Sequence, residues 1–479
     1  MIFRRLSCSL FLLTSVAFSP SFTGAAEGKP NILFLFADDF CYEAVNAVGM
    51  TDIETPNLDR LANQGTVFTH AYNMGSWSGA VCVASRTMLN TGRYVWRAKE
   101  VWGNKETKAE AERGVLWSQL MGKAGYGTFM TGKWHVPIDP ADIFDVAVDV
   151  RPGMPATVPA SYNRPLPGQP DPWSPSDPSI GGFWEGGNHW SEVGADDAIE
   201  HLNGGAGKEK PFFMYVAFNA PHDPRQAPAE FVAKYPQSRV EVPENFLPEY
   251  PYNEAANTGR KLRDEKLGPF PRTEESVKVH RGEYYALITH LDVQIGRILE
   301  ALEASGQAEN TWIFFTADHG LAVGHHGLFG KQNMYDHSLR VPFYVNGPGV
   351  EKKKIDAPVY LQDVMATSLD LAGAEKPEHV EFQSLLPLIR GESEAATASP
   401  VYGAYLSEKR AIIEDGWKLI AYPKAPKLRL YNLTEDPQEM HDLADDSANA
   451  AKVKELLASL KVLQKKMGDE VDLATVFGE

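Results

Sequence analysis

The chain has 479 residues, 43% hydrophobic and 23% charged, with a formal net charge of −17, which suits one large globular domain plus a smaller one. Such acidity excludes a general binder of nucleic acid or of anionic membrane surfaces, so an anionic substrate would need a local basic pocket. Three cysteines, Cys8, Cys41 and Cys82, exclude a disulfide framework and leave either one formally possible Cys41–Cys82 bridge or a cysteine kept for chemistry.

Residues 1–26 read as an export signal: Arg4 and Arg5 open it, Leu6 to Phe18 form a short apolar run, and small residues follow. The run is too short to span a bilayer, and no later segment approaches that length, so no membrane span is expected in the mature chain. Five apolar runs then end in polar, charged or small residues: NILFLFADD (31–39), GTFMTGKWH (127–135), PFFMYVAFNAPH (211–222), TWIFFTADHG (311–320) and VPFYVNGPG (341–349). Each reads as a fully buried strand. Helical patterns lie between them at 55–68, 114–125, 194–204 and 283–306, the last with Leu287, Leu291, Ile295, Ile298, Leu299 and Leu302 on one stripe.

Strands alternating with helices predict an α/β fold with a large mixed, mostly parallel sheet sandwiched by helices. Residues 137–190, rich in Pro and Gly and carrying Trp173, Trp184 and Trp190, read as a long irregular insertion, and 235–275 as a second. From 376 to 479 short strands and a charged terminal helix predict a smaller C-terminal α+β domain with an antiparallel sheet, leaving 27–375 as the main domain.

Ligands collect at the carboxyl ends of strands in such sheets. Asp38 and Asp39, Lys133 and His135, His222, and Asp318 and His319 would therefore converge on one rim. Adjacent acids at a buried strand end repel unless a cation or strong donors compensate them. Three carboxylates aimed at one point specify a hard divalent cation, with His319 a fourth ligand or a donor to the bound group. GKWH places Lys133 and His135 on one side of an extended strand, NAPHDP holds His222 between prolines, and Lys331 follows on a Gly-rich loop. Together they predict a cation-lined cavity beside a metal, suited to a tetrahedral oxyanion ester.

The segment GAVCVASRTMLNTGRY (79–94) sets Cys82 among Ser85, Arg86, Thr91, Gly92 and Arg93, poor material for a core. Cys82-Val83-Ala84-Ser85-Arg86, followed by TMLNTGR, resembles the signature of the formylglycine-dependent (type I, arylsulfatase-like) sulfatases of the alkaline phosphatase superfamily. FADD, GKWH, APHDP, ADHG and GLFGKQNMYDHSLRVPF match other sulfatase blocks in family order, and LYNLTEDPQEMHDLA resembles the family's C-terminal segment; the likeness runs from about Lys29 to Ala444.

The resemblance implies that Cys82 is oxidised to Cα-formylglycine and that its hydrate attacks sulfur, a second hydroxyl then expelling sulfate. It implies that Asp38, Asp39, Asp318 and His319 hold the metal, Ca²⁺ ahead of Mg²⁺, with modified Cys82 completing the site. It further implies that Arg86 fixes the formylglycine and Lys133 and Lys331 grip sulfate oxygens. His222, with Lys331, protonates the leaving oxygen, and His135 helps deprotonate the second hydroxyl. Ala84 stands where Pro is commoner, which points to a radical-type maturation enzyme as partner. The substrate expected is a sulfated carbohydrate outside the cytoplasm, periplasmic or secreted, with Trp77 and the insertion tryptophans as candidate sugar platforms or as loop packing. Two other readings stay open: a phosphate or phosphonate monoester hydrolase on this scaffold, and a non-catalytic sulfated-glycan-binding protein if Cys82 is not converted.

Overall fold

The computed structural model describes residues 28–256 and 258–478; the export signal expected over 1–26 lies outside them. All five apolar runs become strands, Asn31–Ala37, Gly127–Lys133, Phe212–Ala217, Thr311–Ala317 and Phe343–Asn346. Their continuous apolar character follows from burial on both faces. Eight strands form the large sheet, in the order Lys353–Ile355, Thr66–Phe68, Phe343–Asn346, Thr311–Ala317, Asn31–Ala37, Phe212–Ala217, Gly127–Lys133 and Val146–Arg151. Only Phe343–Asn346 runs antiparallel to its neighbours, so the sheet is mixed and mostly parallel, as the alternating pattern predicts.

The register sets the site. Ala37 pairs with Ala317, and both Phe36 and Gly132 pair with Ala217. Asp38, Asp318 and Lys133 therefore leave three strands at one level. Gly132 permits this: its φ is +87°, and a Cβ there would lie 1.9 Å from the Ala217 carbonyl oxygen. Helices cover the sheet in two groups. Glu274–Ala304 packs against Pro56–Gln64 and Trp190–Asn203, while Trp117–Lys123 touches Val81–Thr91 and Asp363–Leu371.

Three local expectations are corrected. The helical pattern over 55–68 stops at Gln64, and β-branched Thr66 and Val67 enter a strand instead. The insertion 137–190 is not wholly irregular: Val146–Arg151 (VAVDVR) forms a partly exposed edge strand. The long helix begins at Glu274, where Thr273 Oγ1 accepts the Ser276 N–H at 3.1 Å, rather than at the expected Glu283. No helix among the described residues is long and apolar enough to cross a membrane.

The second sheet joins Lys427–Asn432, Trp417–Tyr422, Lys409–Glu414 and Val401–Tyr405 antiparallel, with the helix Ala450–Met467 against it. Its fifth strand comes from far upstream: Gly75–Ser76 pairs parallel to Val401–Tyr405. The C-terminal unit thus grips the chain just before the helix Val81–Thr91. A second anchor is a buried triad. Lys418 Nζ donates to Asp336 Oδ1 at 2.6 Å and to Glu439 Oε1 at 2.7 Å. Burial, aided by Asp336 and opposed by Lys418, pushes Glu439 up to about 7.

Two measurements follow. Gly75 has φ +84°, and a Cβ there would sit 1.9 Å from the Ala404 carbonyl oxygen, so Gly75→Ala should cost at least about 2 kcal/mol in urea unfolding. Because Glu439 holds its proton more tightly folded than unfolded, its ionisation removes stability as pH rises from about 4.5 toward about 7. Glu439→Gln should therefore gain stability relative to wild type between pH 5 and pH 8, read from paired urea midpoints; a constant difference would refute this.

Candidate active site

Asp38, Asp39 and Asp318 stand where two parallel strands end. Asp38 N–H donates to the Ala220 carbonyl at 3.1 Å and Asp318 N–H to Ala37 at 3.2 Å, which extends the ladder one step past the strands. Asp39 then turns into the left-handed region (φ 62°). Its N–H reaches Asp318 Oδ1 at 3.2 Å, and Tyr284 Oη donates to its carbonyl at 2.7 Å. The strain at a non-glycine residue is thus held by two partners.

Cys82 is the second residue of the helix Val81–Thr91, whose positive end faces the acids. Its Sγ lies 3.2 Å from Asp38 Oδ1 and 3.9 Å from Asp39 Oδ1. Burial, reinforced by Asp318 and Asp38, pushes the thiol well up, so an unmodified Cys82 stays protonated. The polar residues around it are satisfied locally. Thr87, Asn90 and Thr91 donate to carbonyls one turn back, while Arg86 donates Nε to Asp318 Oδ2 and Nη1 to the Lys133 carbonyl, both at 2.8 Å. Arg86 Nη2 is buried with no partner. Cys41 and Cys82 are both free, so the bridge that their count permitted is absent.

Two lysines complete the ring. Lys133 Nζ bonds to Asp38, and Lys331 Nζ reaches Asp39 Oδ1 at 2.7 Å, Oδ2 at 2.5 Å and Cys82 Sγ at 3.3 Å. Burial and the neighbouring Asp318 push Asp38 up to about 6 despite Lys133. For Asp318, Arg86, Lys133 and Lys331 outweigh burial and hold it low. Oxygen and sulfur donors of Asp38, Asp39, Cys82 and Asp318 all lie within 4.8 Å of one another. Three convergent carboxylates beside the residue 82 side chain fit a hard divalent cation.

Not every expected residue joins them. His319 falls outside this donor group: its Nδ1 is 2.9 Å from the Gly320 carbonyl. His222 Nε2 is 3.5 Å from Asp39 Oδ2, and its Nδ1 is held by the Asp223 carbonyl at 2.8 Å. His135 reaches the same cavity by another route than expected. The strand ends at Lys133, and His135 takes φ 64°, so a turn rather than strand alternation points it inward. Burial, then Lys133 and Arg86, push it down to about 3, which keeps the imidazole neutral.

The cavity of about 560 Å³ is lined by Cys82, His135, His222 and Lys331 together with Met154, Leu262, Arg263, Asp264 and Gln332. Leu262, Arg263 and Asp264 come from the second insertion and carried no signal in the sequence beyond its length. The tryptophan platform is not there. Trp173 and Trp190 are buried beside Arg164 and Arg151, Trp184 packs edge-on to His189, and none of them, nor Trp77, lines the cavity. These rings pack the loops.

With three acids, three buried cations and a helix-borne residue 82 gathered at strand ends, the site has the form of a hydrolase acting on an anionic ester. The chain belongs to the sulfatase family: the Sulfatase family model matches residues 30–374, and N-sulphoglucosamine sulphohydrolase, C-terminal, matches 324–466. It is similar to the uncharacterized sulfatase YidJ of Escherichia coli, 29% identical over 444 residues, spanning 87% of this chain and 84% of the relative. It is also similar to N-acetylglucosamine-6-O-sulfatase of Bacteroides thetaiotaomicron, 26% identical over 516 residues, spanning 92% and 87%. The solved structure of BT4656 in complex with its substrate D-glucosamine-2-N,6-O-disulfate shares the fold, with a TM-score of 0.70, 24% identity, and coverage of 92% of this chain and 99% of that one.

Arg86 gives the site its sharpest test. Arg86→Met would strand Asp318 in a dry interior, and we expect a loss of about 3–5 kcal/mol in urea unfolding. A loss below about 1 kcal/mol would show that the pair does not hold the strand end.

Proposed function

We propose that this chain is an exported sulfatase that removes sulfate from sulfated carbohydrates, using a formylglycine hydrate at position 82 and a divalent cation, Ca²⁺ ahead of Mg²⁺. The observation that carries the reading is the donor group of Asp38, Asp39, Asp318 and Cys82 within 4.8 Å, ringed by Arg86, Lys133 and Lys331. Three acids balance three bases, so a dication would supply the net positive charge that an anionic ester needs. The name of the Bacteroides relative supports a sugar sulfate, and Arg4, Arg5 and the apolar run after them support export.

Asp38, Asp39 and Asp318 would hold the cation, which supplies Lewis acidity at the sulfate oxygens. Formylglycine would supply two hydroxyls on one carbon, one to attack sulfur and one to drive sulfate out afterwards. Arg86, four residues along the same helix and tied to Asp318, would fix the formylglycine. Lys133 and Lys331, fixed by Asp38 and Asp39, present ammonium donors to the sulfate oxygens. His222, its Nδ1 tied to the Asp223 carbonyl, would donate from Nε2 to the leaving oxygen once protonated there, and Lys331 can share that proton transfer. His135, which faces the same cavity, would accept the second hydroxyl's proton. Ala84 supports maturation by the radical-type enzyme.

The test combines mass and rate. Active protein should carry formylglycine at position 82 by peptide mass spectrometry, and Cys82→Ala should lose at least about 1,000-fold in kcat on sulfated mono- and disaccharides. Stripping the metal should abolish turnover, and Ca²⁺ should restore it. An active enzyme with an unaltered thiol, or faster turnover of a phosphonate ester than of any sulfate, would overturn the reading. Conversion by the oxygen-dependent maturation enzyme alone would exclude the radical-type partner.

A further inference from the structure

Three consecutive residues of the second insertion, Arg263, Asp264 and Glu265, each grip a segment that carries a reacting side chain. Glu265 is buried, and its carboxylate accepts the N–H groups of Phe329 at 2.9 Å and Gly330 at 2.8 Å. Arg272 pairs with it at 2.5 Å and donates to the Gly327 carbonyl at 3.1 Å, which closes the insertion onto the 327–330 loop. Asp264 Oδ2 accepts from Gln332 Nε2 at 2.7 Å. Gln332 in turn accepts the Lys331 backbone N–H at 3.1 Å through Oε1 and points Nε2 toward the Gly79 carbonyl at 3.4 Å. Arg263 pairs with Asp264 and with Asp223, whose Oδ1 lies 3.2 Å from His222 Nδ1.

Lys331 needs such a brace. Its side chain is long and flexible, and it follows Gly330, so only a fixed backbone delivers Nζ to Asp39 and Cys82 reproducibly. The backbone atoms just before Lys331 are held by Glu265, and its own N–H by Gln332, which Asp264 holds. We propose that Asp264 and Glu265 are positioning residues for Lys331, acting through Gln332 and the Phe329–Gly330 backbone. The inference rests on the sulfate-ester reading of the site. It assigns the 235–275 insertion a role in setting the reacting groups as well as walling the cavity.

The test is a set of crossed variants assayed on a small aryl sulfate, where sugar contacts play no part. Asp264→Ala and Gln332→Ala should each lower kcat by about 10- to 100-fold with KM changed less than about threefold, the effect expected of a misplaced group. The double variant should be no worse than the poorer single. Asp264→Asn, whose Oδ1 can still accept from Gln332, should recover most of the loss. In a Lys331→Ala background, Asp264→Ala should have no further effect on kcat. The same loss in that background, or an effect on KM alone, would overturn the proposal. If Asp264→Ala fails to fold, Gln332→Ala carries the same crossed test. A crystal structure of the variant gives a readout independent of substrate: Lys331 Nζ should leave hydrogen-bond distance of Asp39. An unmoved Nζ sinks the positioning role, whereas a wild-type enzyme inactive on every sulfate ester sinks the functional reading alone.

Discussion

Three buried carboxylates leave neighbouring parallel strands side by side, and that repulsion governs the rest of the molecule. Two unit charges about 4 Å apart cost about 4 kcal/mol at an effective dielectric constant of 20, so three acids cannot stand together uncompensated. Compensation comes from three separate places: Arg86 on a helix, Lys133 at the end of a third strand, and Lys331 on a loop. Each cation pins its own segment to the strand ends. The charges that suit the site to an anionic ester therefore also set the relative placement of the segments that build it.

The smaller sheet acts on the same centre from outside. By pairing Gly75–Ser76 with Val401–Tyr405, it fixes the chain a few residues before Cys82. Through Lys418, bound to Asp336 and Glu439, it fixes the chain a few residues after Lys331. The apolar side of the signature helix confirms the division: Val81, Val83, Ala84 and Met88 belong to the core shared with the small sheet, while Leu89 belongs to the core of the large one. Residue 82 is thus presented from the seam between two cores, where a rigid support exists on both sides.

Much of this was legible in the residues. Buried strands advertise themselves as unbroken apolar runs because both faces are covered, and polar groups at their ends mark the rim where ligands collect. Asp38, Asp39, Lys133, His222 and Asp318 could be gathered on that ground alone. The position of His319 at a strand end said nothing of its ring, whose Nδ1 is held by its neighbour's carbonyl. The tryptophans misled for a related reason: a large ring serves a sugar or a loop equally well, and burial beside arginines decided for the loop.

What the sequence determined by itself was the alternating fold, the signature around Cys82, and the residue types of the site, since these depend on local patterns of period, charge and side-chain chemistry. Only the tertiary structure decided that Gly75–Ser76 joins a sheet built more than 300 residues later, that His135 arrives through a left-handed turn, and that Arg263, Asp264 and Glu265 brace the Lys331 loop. Those contacts depend on long-range register and on hydrogen bonds between segments far apart in the chain, and a polar residue in an irregular loop carries no periodic signal of the partner it will meet.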